Sequence, residues 1–304
     1  MDRRGRKDPP AIEGDCFRGP AGKRAATLDD TELLWRWHQE DLERLKNFRL
    51  LDDDFLTKCF EGSTDCIRLV LRIILEMPDL EVVEVHTQVF VENLLERSVR
   101  LDIVAVDGCG RRFNVEIQRN DRGAGFYRAR YHSSMIDVNL LPKGEDFDHL
   151  PEVYVIFITE RDVIGRGRAV YRVDRYFDTG EPFEDGAHIV YVNGAYRDQT
   201  PIGRLMHDFS CTNASDMHYG VLADRVSFFK ESKKGVAIMC KAIEDMRNEV
   251  LQEGIKQGME QGMKQGVKAA ALRMLEVGKY ALEEIAGISG LPLEEVKKLQ
   301  AERG

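Results

Sequence analysis

The sequence has no long apolar segment. Its 304 residues contain no run of about 18 apolar residues, the length that a membrane-spanning helix requires. The first ten residues, MDRRGRKDPP, are charged, and no apolar stretch follows them, so we expect no secretory signal. The absence of both features predicts a protein with no membrane partner.

Cysteine is scarce and its spacing is irregular. The six cysteines include no C-x-x-C pair, so neither disulfide bridges nor a zinc site is expected. Scattered, unpaired cysteines are typical of a reducing compartment. We therefore expect a cytoplasmic protein.

An excess of positive charge is missing as well. The chain has 44 lysines and arginines against 53 aspartates and glutamates, a net charge of −9, which argues against a protein that coats nucleic acid non-specifically. Residues 97–130 have the opposite charge balance from the whole chain, because they contain eight arginines and only four acids. An arginine-rich surface around carboxylates suits a phosphodiester backbone held beside a metal ion. The alternative is a solvated arginine face on an edge hairpin.

Residues 100–118, RLDIVAVDGCGRRFNVEIQ, predict a β-hairpin. Apolar and polar residues alternate on both arms, which is the two-residue period of β-strands. Asp107, Gly108 and Gly110 supply a tight turn between the arms, because glycine reaches the positive φ values that such turns need.

Three polar side chains of this hairpin form a candidate metal site. Glu116 and Gln118 are two residues apart on one arm, so they leave the sheet on the same face. Asp102, on the other arm, can face the same cleft. Oxygen ligands of this kind suit Mg²⁺. The alternative is that Asp102 and Glu116 are exposed strand acids paired with Arg100 and Arg112.

A second group of acids, Asp52-Asp53-Asp54, precedes a helical segment. Acids are favoured at the positive N-terminal end of a helix, so capping is one interpretation. The other is an auxiliary carboxylate, supplied by Asp53 or Asp54, beside the metal cleft.

The rest of the chain alternates helical and strand patterns, which indicates an α/β protein. The run EVYVIFIT at 152–159 is typical of a central strand that is buried on both faces. The predicted helices cover residues 27–50, 63–77, 125–141, 201–209 and 216–253. The other predicted strands cover residues 80–93, 170–177 and 188–192.

Composition divides the chain into three predicted parts. Residues 1–27 are rich in glycine, proline and charged residues and predict a disordered leader; with a peripheral helix, it makes up residues 1–50. A compact domain is predicted over residues 51–250. Residues 251–304 hold a glycine repeat and a small helical tail.

The predicted helix 125–141 carries a polar face. Arg128, Tyr131 and His132 lie three and four residues apart, so they share one side of the helix. That side faces either a scissile phosphate or solvent. The first interpretation makes Arg128, Arg130 and Tyr131 the candidate phosphate-binding residues.

A four-residue repeat, EGIK-QGME-QGMK-QGVK, covers residues 253–268. Glycine costs about 1 kcal/mol per site against alanine in a helix, so this helix is weak alone. A glycine track beside an apolar track allows two helices to approach closely and favours a homo-oligomer. An intramolecular arm or a flexible linker is the alternative. The tail at 280–299 has the outline of a small helix-turn-helix.

Several motifs, in this order along residues 51–253, resemble those of a known family. They are DDDFLTKCF, RLDIVAVD, VEIQ, RARYHSSMI, LPKGEDFDHLPEVYVIFIT and the glycine-repeat tail. Together they resemble the recombination-promoting nuclease or transposase family, a branch of the PD-(D/E)XK nuclease superfamily. The resemblance implies an α/β core with a mixed β-sheet flanked by helices, here followed by a C-terminal helical extension. It also implies Mg²⁺-dependent cleavage of DNA, linked to recombination and mobile elements.

The resemblance assigns roles to individual residues. Asp102 matches the aspartate of the family motif and Glu116 its second acid. With the carbonyl of Ile117, they would hold one or two Mg²⁺ ions, for which Mn²⁺ can substitute. Gln118 stands where the wider superfamily usually has lysine, and its uncharged amide can only orient water or phosphate. The sequence therefore predicts a metal-dependent DNA endonuclease with Asp102, Glu116 and Gln118 as its catalytic residues.

Two other functions stay open. One is a catalytically idle nucleic-acid-binding or self-assembling protein derived from a nuclease, an interpretation that the missing lysine favours. The other is a purely structural oligomer built through the glycine-repeat helix.

Overall fold

The computed structural model of the protein describes residues 28–93, 97–119 and 121–302. The predicted leader at residues 1–27 lies outside them. The described chain divides into a first compact unit that ends at Cys240 and a second that begins at Lys241.

The first unit is built on a six-stranded mixed sheet with the strand order β1-β2-β3-β4-β6-β5. Strands β1, β2 and β3 form an antiparallel meander, β3, β4 and β6 run parallel, and β5 pairs antiparallel with β6. The predicted α/β fold with a mixed sheet is confirmed. The strands are β1 (Val82–Val91), β2 (Val99–Asp107), β3 (Arg112–Gln118), β4 (Val153–Thr159), β5 (Val170–Val173) and β6 (Ala187–Asn193).

Helices flank this sheet. The helices of the first unit are α1 (Leu28–Asn47), α2 (Asp53–Phe60), α3 (Thr64–Leu75), α4 (Phe126–Leu140), α5 (Pro201–Ser210), α6 (Gly220–Glu231) and the start of α7 (Lys233–Val277). Helix α2 contacts β1 and β2, α3 contacts β1, and α4 contacts β4. Helix α2 therefore lies against β2, one of the two strands that carry the candidate site, and α4 lies against β4, the neighbour of the other.

Strand β4 lies inside the sheet, between β3 and β6. All seven of its residues, VYVIFIT, are buried, which explains why the sequence shows an unbroken apolar run rather than an alternating one. Helix α3 adds a stripe of fully buried side chains at helix spacing, namely Ile67, Val70, Leu71 and Ile74.

The predicted hairpin is formed by β2 and β3. Its turn is organised by Asp107, whose carboxylate accepts the backbone N–H groups of Cys109 and Arg111, both at 2.9 Å. Gly110 has φ +86°, a conformation that glycine adopts without the cost of a Cβ atom. The turn fixes the register in which β2 and β3 face each other.

Three elements begin or end at other residues than the sequence predicted. Strand β5 stops at Val173 rather than residue 177, and the chain beyond it turns back through a single bridge between Tyr176 and Pro182. Helix α3 stops at Leu75, because Glu76 adopts a left-handed conformation with φ 59°. The helical stretch 216–253 is interrupted at Ser232, between α6 and α7.

The second unit holds most of α7 together with α8 (Leu282–Ser289) and α9 (Leu293–Ala301). Its small core joins these three helices through Ala271, Ile285 and Val296, each fully buried. Lys268 and Glu295 form an ion pair at 2.8 Å. The two predicted tail helices are therefore present, and they pack on the end of α7.

The glycine repeat lies within α7, which continues through it as a helix. Residues 251–266 are all exposed. A Cβ atom added at any of the four repeat glycines, Gly254, Gly258, Gly262 or Gly266, would meet no atom within 4 Å. In this structure the repeat is thus a helical segment with an open face, not a flexible linker.

Candidate active site

Asp102 on β2 and Glu116 on β3 are linked by hydrogen bonds between the two strands. The backbone N–H of Asp102 donates to Glu116 Oε1 at 3.2 Å, and the backbone N–H of Ile117 donates to Asp102 Oδ2 at 3.1 Å. Glu116 is 0% exposed and Asp102 is 7% exposed. The interpretation of these residues as exposed strand acids is therefore wrong. The hairpin register places two buried carboxylates side by side.

Ile117 takes part through its backbone. Its N–H donates to Asp102 Oδ2, and in an extended strand the N–H and C=O groups of one residue point toward the same side of the strand. The carbonyl of Ile117 is thus directed toward the side on which Asp102 lies. The carbonyl of Ile117 stays a predicted metal ligand.

Helix α4 supplies a positive group to the two acids. Arg128 Nη2 lies 3.2 Å from Glu116 Oε2, and its Nε donates to His132 Nε2 at 3.2 Å. His132 is buried, with Nδ1 3.6 Å from Glu116 Oε1. Arg128 and His132 thus lie against Glu116, and the orientation of this side of the helix toward a scissile phosphate stays a prediction.

The aspartate triplet separates into residues with different surroundings. Asp53, at the first position of α2, interacts electrostatically with Asp102 and Glu116. Asp52 instead accepts the backbone N–H of Arg49 at 2.7 Å and pairs with Arg119 at 2.8 Å. It occupies the N-cap position of α2 without a side-chain capping bond. Asp53 is therefore a member of the triplet whose charge interacts with both acids of the hairpin, and its role as an auxiliary carboxylate stays a prediction.

Charge is poorly balanced among Asp53, Asp102 and Glu116. Burial, followed by repulsion from Glu116 and Asp53, raises the pKa of Asp102 from 3.8 to about 8. Loss of solvation in the cleft, followed by repulsion from Asp54 and Glu116, also raises the pKa of Asp53, while Arg100 lowers it. Burial and repulsion between acids both disfavour a negative charge on these carboxylates, whereas Arg100 favours one on Asp53. The group therefore stabilises a cation placed among its carboxylates.

Gln118 ends β3 next to the acids. Its Oε1 lies 3.5 Å from Arg128 Nη1. A Cβ atom added to Gly123 would lie 1.8 Å from the same oxygen, so the amide rests directly on the glycine backbone. The amide position therefore depends on Gly123 having no side chain.

Two predicted phosphate-binding residues lie away from the acids. The Tyr131 hydroxyl donates to the backbone carbonyl of Arg97, and Arg130 lies over the ring of Tyr127 at 5.5 Å. Among the described side chains, the arginines do not form one surface, since Arg111 pairs with Asp107 at the far end of the hairpin. Of the three residues predicted to bind phosphate, Arg128 is the one in contact with the candidate catalytic residues.

Asn114 is a residue that the sequence analysis missed. It is buried, two residues before Glu116 on β3, with Nδ2 3.5 Å from His132 Nδ1 and no hydrogen-bond partner for its Oδ1. Turning its amide would let Oδ1 accept from His132 Nδ1, which is free to donate because Nε2 accepts from Arg128. The two-residue spacing of Asn114, Glu116 and Gln118 was the available signal.

The donor set fits a divalent cation. Three carboxylates of the cleft are hard oxygen ligands, which Mg²⁺ prefers. The raised pKa of Asp102 shows that a negative charge is unfavourable among these acids. A cation bound beside them would neutralise that charge. The residues that would hold the ion are Asp102 and Glu116, with the Ile117 carbonyl, and Asp53 lies beside them.

The mixed sheet and its flanking helices define an α/β protein consistent with the PD-(D/E)XK fold. Residues 65–194 match the family model described as PD-(D/E)XK nuclease family transposase, so the resemblance expected from the sequence is confirmed over this segment. The family suggests a nuclease or mobile-element role, with DNA as the substrate implied. No curated protein and no solved structure matches the chain.

The matched segment contains Asp102, Glu116, Gln118 and Arg128. It does not include Asp53 or the glycine repeat. None of the helices in the part of the chain that the structure describes has the length and apolar character needed to cross a membrane.

Proposed function

We propose that the protein is a metal-dependent DNA endonuclease, active with Mg²⁺ and also with Mn²⁺. The observation that carries this proposal is the pair of buried carboxylates, Asp102 and Glu116, joined by Asp53 and neutralised only in part by Arg128. A buried group of acids with too little positive charge is costly to fold. Its presence at the position of the family motif supports a function for it.

Asp102 and Glu116, with the Ile117 carbonyl, would hold the cation. When bound, a divalent cation polarises the scissile phosphate and lowers the pKa of a coordinated water. Asp53 is exposed, so its carboxylate can accept a hydrogen bond from a water.

Arg128 takes over the positive charge that the superfamily lysine would supply. Its guanidinium touches Glu116, Gln118 and His132, so its position is fixed from three sides. A preorganised cation at this place stabilises negative charge that develops on the phosphate. The Gln118 amide carries no charge, so its part is to orient a water or a phosphate oxygen.

The proposal is tested with supercoiled plasmid and the full chain. We expect cleavage that requires Mg²⁺ or Mn²⁺ and is lost in the Asp102→Ala, Glu116→Ala double variant. Glu84→Ala serves as the control, because Glu84 is an exposed acid on β1 that contacts His86. Equal cleavage by the double variant and the unchanged chain would overturn the proposal.

A catalytically idle DNA-binding protein is the second candidate. Gln118 in place of lysine favours it, because the amide cannot act as a base. Plasmid retardation without cleavage at any Mg²⁺ or Mn²⁺ concentration, unchanged in the double variant, would select this function. The five cysteines among the described residues form no disulfide, and we infer a cytoplasmic location for either function.

We also infer that the glycine-repeat helix joins copies of the chain into a homo-oligomer. Met259 and Met263 are 70% and 71% exposed on the repeat, next to glycines with open space around them. Sedimentation should show a smaller mass for Met259→Glu, Met263→Glu and for truncation near Glu253. Gln261→Glu is the charge-matched control. A monomeric full chain would contradict the inference.

A further inference from the structure

A second group of metal-ligating side chains lies at the end of α5, outside the candidate active site. His207, Asp208 and Cys211 each bring one ligand atom within 4.8 Å of the others. The ring of His218 lies close by, with its centroid 4.7 Å from that of His207. One imidazole, a carboxylate and a thiol thus meet at the end of the helix, and a second imidazole lies beside the first.

The separations match those of a tetrahedral zinc site. Zinc bonds of about 2.0–2.1 Å to nitrogen, 2.3 Å to sulfur and 2.0–2.2 Å to oxygen place the nitrogen about 3.6 Å from sulfur and about 3.4 Å from oxygen. His207 Nδ1 lies 3.5 Å from Cys211 Sγ and 3.4 Å from Asp208 Oδ1. These two separations are therefore the ones that ligands of one shared ion would have.

The carboxylate is already held in place. Asp208 is fully buried, and its two oxygens accept the backbone N–H groups of His218 and Tyr219, both at 2.8 Å. Such outer hydrogen bonds are the usual support of a carboxylate ligand, and each oxygen keeps a lone pair. The same bonds hold His218 beside the group.

An ordinary thiol–imidazole hydrogen bond explains the contact less well. Cys211 Sγ lies 3.5 Å from Nδ1 and 3.9 Å from Nε2 of His207, so the sulfur sits over the ring rather than in its plane, where the nitrogen lone pairs point. Turning the imidazole about its Cβ–Cγ bond brings Nδ1 toward the sulfur side, and the His207 side chain is 39% exposed, which leaves room for the turn.

We propose that His207, Asp208 and Cys211, with His218 as the fourth ligand, bind a Zn²⁺ ion. Four protein ligands leave no open position, which is the arrangement of a structural zinc site rather than a catalytic one. The ion would hold the end of α5 to the loop before α6. The carbonyl of Phe209 in this turn accepts the backbone N–H of Leu51 at 3.0 Å, so the site braces the segment that leads to Asp53.

The test is metal titration of the full chain in the Asp102→Ala, Glu116→Ala background, which removes ligands of the other candidate site. We expect one equivalent of Co²⁺ to bind with a thiolate-to-cobalt charge-transfer band, and Zn²⁺ to displace it. Cys211→Ser should abolish the band and weaken binding at least about tenfold. His207→Gln and His218→Gln should also weaken it.

Two matched controls separate this site from adventitious binding. Cys109 is an exposed cysteine in the hairpin turn, and His149 is an exposed histidine that contacts Glu145. Cys109→Ser and His149→Gln should bind Co²⁺ as the background does. Failure to bind one equivalent, or a band that survives Cys211→Ser, would overturn the proposal. Because the readout is stoichiometry and absorption, it does not depend on nuclease activity.

Discussion

Two groups of charged side chains in the first unit differ in how well their charges cancel. In one, Asp52 and Glu160 face Arg49 and Arg119, two acids against two arginines, with contacts from 2.8 to 3.6 Å. Although burial raises the pKa of Glu160, Arg49 and Arg119 together lower it below its usual value. The two negative and two positive charges of this group cancel, so the group needs no additional ion.

The second group contains Asp53, Asp102 and Glu116, and its direct cationic contact is Arg128. Here burial and mutual repulsion raise the pKa of Asp102 to about 8. Two adjacent acids, Asp52 and Asp53, thus enter different environments, because Asp52 lies beside two arginines and Asp53 interacts with two other acids. The balanced group is structural, whereas the unbalanced group is the one in which we place a metal ion.

The largest expected contrast is between the arginines of the two groups. Arg128→Ala should lower the rate of plasmid cleavage about 100-fold, the usual effect of removing one preorganised charge-stabilising donor. It should not weaken Mg²⁺ binding, because it removes a like charge. Arg119→Ala should change the rate only a few-fold, since Arg119 contacts Asp52 and Glu160. The cleavage rates are measured by single-turnover kinetics. Equal losses of rate in both variants would contradict the distinction between the two groups.

The next contrast concerns stability without metal. Asp102→Asn removes a repelled charge but keeps an acceptor for the Ile117 N–H, so we expect the free energy of unfolding to rise by about 1 kcal/mol or more. Asp52→Asn removes a charge that two arginines satisfy and should lower it by about 1–3 kcal/mol. Urea unfolding in EDTA measures both. Changes of the same sign would contradict the assignment of the two groups.

The unbalanced group also predicts a pH dependence. The pKa of Asp102 is about 8 in the folded chain against 3.8 in the unfolded chain, so the folded state holds the extra proton between these values. The stability contribution of Asp102 is then fully present below about pH 4 and is lost as pH rises through 8. Unfolding of the metal-free chain and of Asp102→Asn should show this loss as their difference. Saturating Mg²⁺ should remove it, and a metal-free chain that gains stability relative to Asp102→Asn as pH rises would contradict the expected sign.

The sequence predicted the elements better than the surroundings of the site. The hairpin and the central strand follow from local patterns, namely alternation, a glycine turn and an unbroken apolar run, and the structure contains both. The sequence also placed Asp102 and Glu116 on neighbouring arms. It did not show that they are buried, because burial depends on α2 and α4, which come from distant parts of the chain.

The same reason explains what the sequence left undecided. The triplet Asp52-Asp53-Asp54 has three chemically equal residues, and only the path of α2 separates Asp53 from Asp52. The sequence predicted one arginine-rich surface from residues 97–130. In the structure Arg111 lies at the turn of the hairpin, whereas Arg128 lies on α4 and contacts Glu116. Spacing along a chain predicts which residues share an element, not which elements meet.

The smallest expected effect tests how the unbalanced group holds Gln118. Gly123→Ala would place a methyl group where Gln118 Oε1 now lies, so the amide must move away from Arg128. Because the displaced atom is the end of a flexible side chain, stability should change by less than about 0.5 kcal/mol, while plasmid cleavage should fall up to about tenfold. Gly108→Ala is the matched control, since a methyl group at Gly108 meets no atom within 4 Å. If Gly123→Ala cleaves as the unchanged chain does, the Gln118 amide has no part in orienting water or phosphate, and Arg128 acts without it.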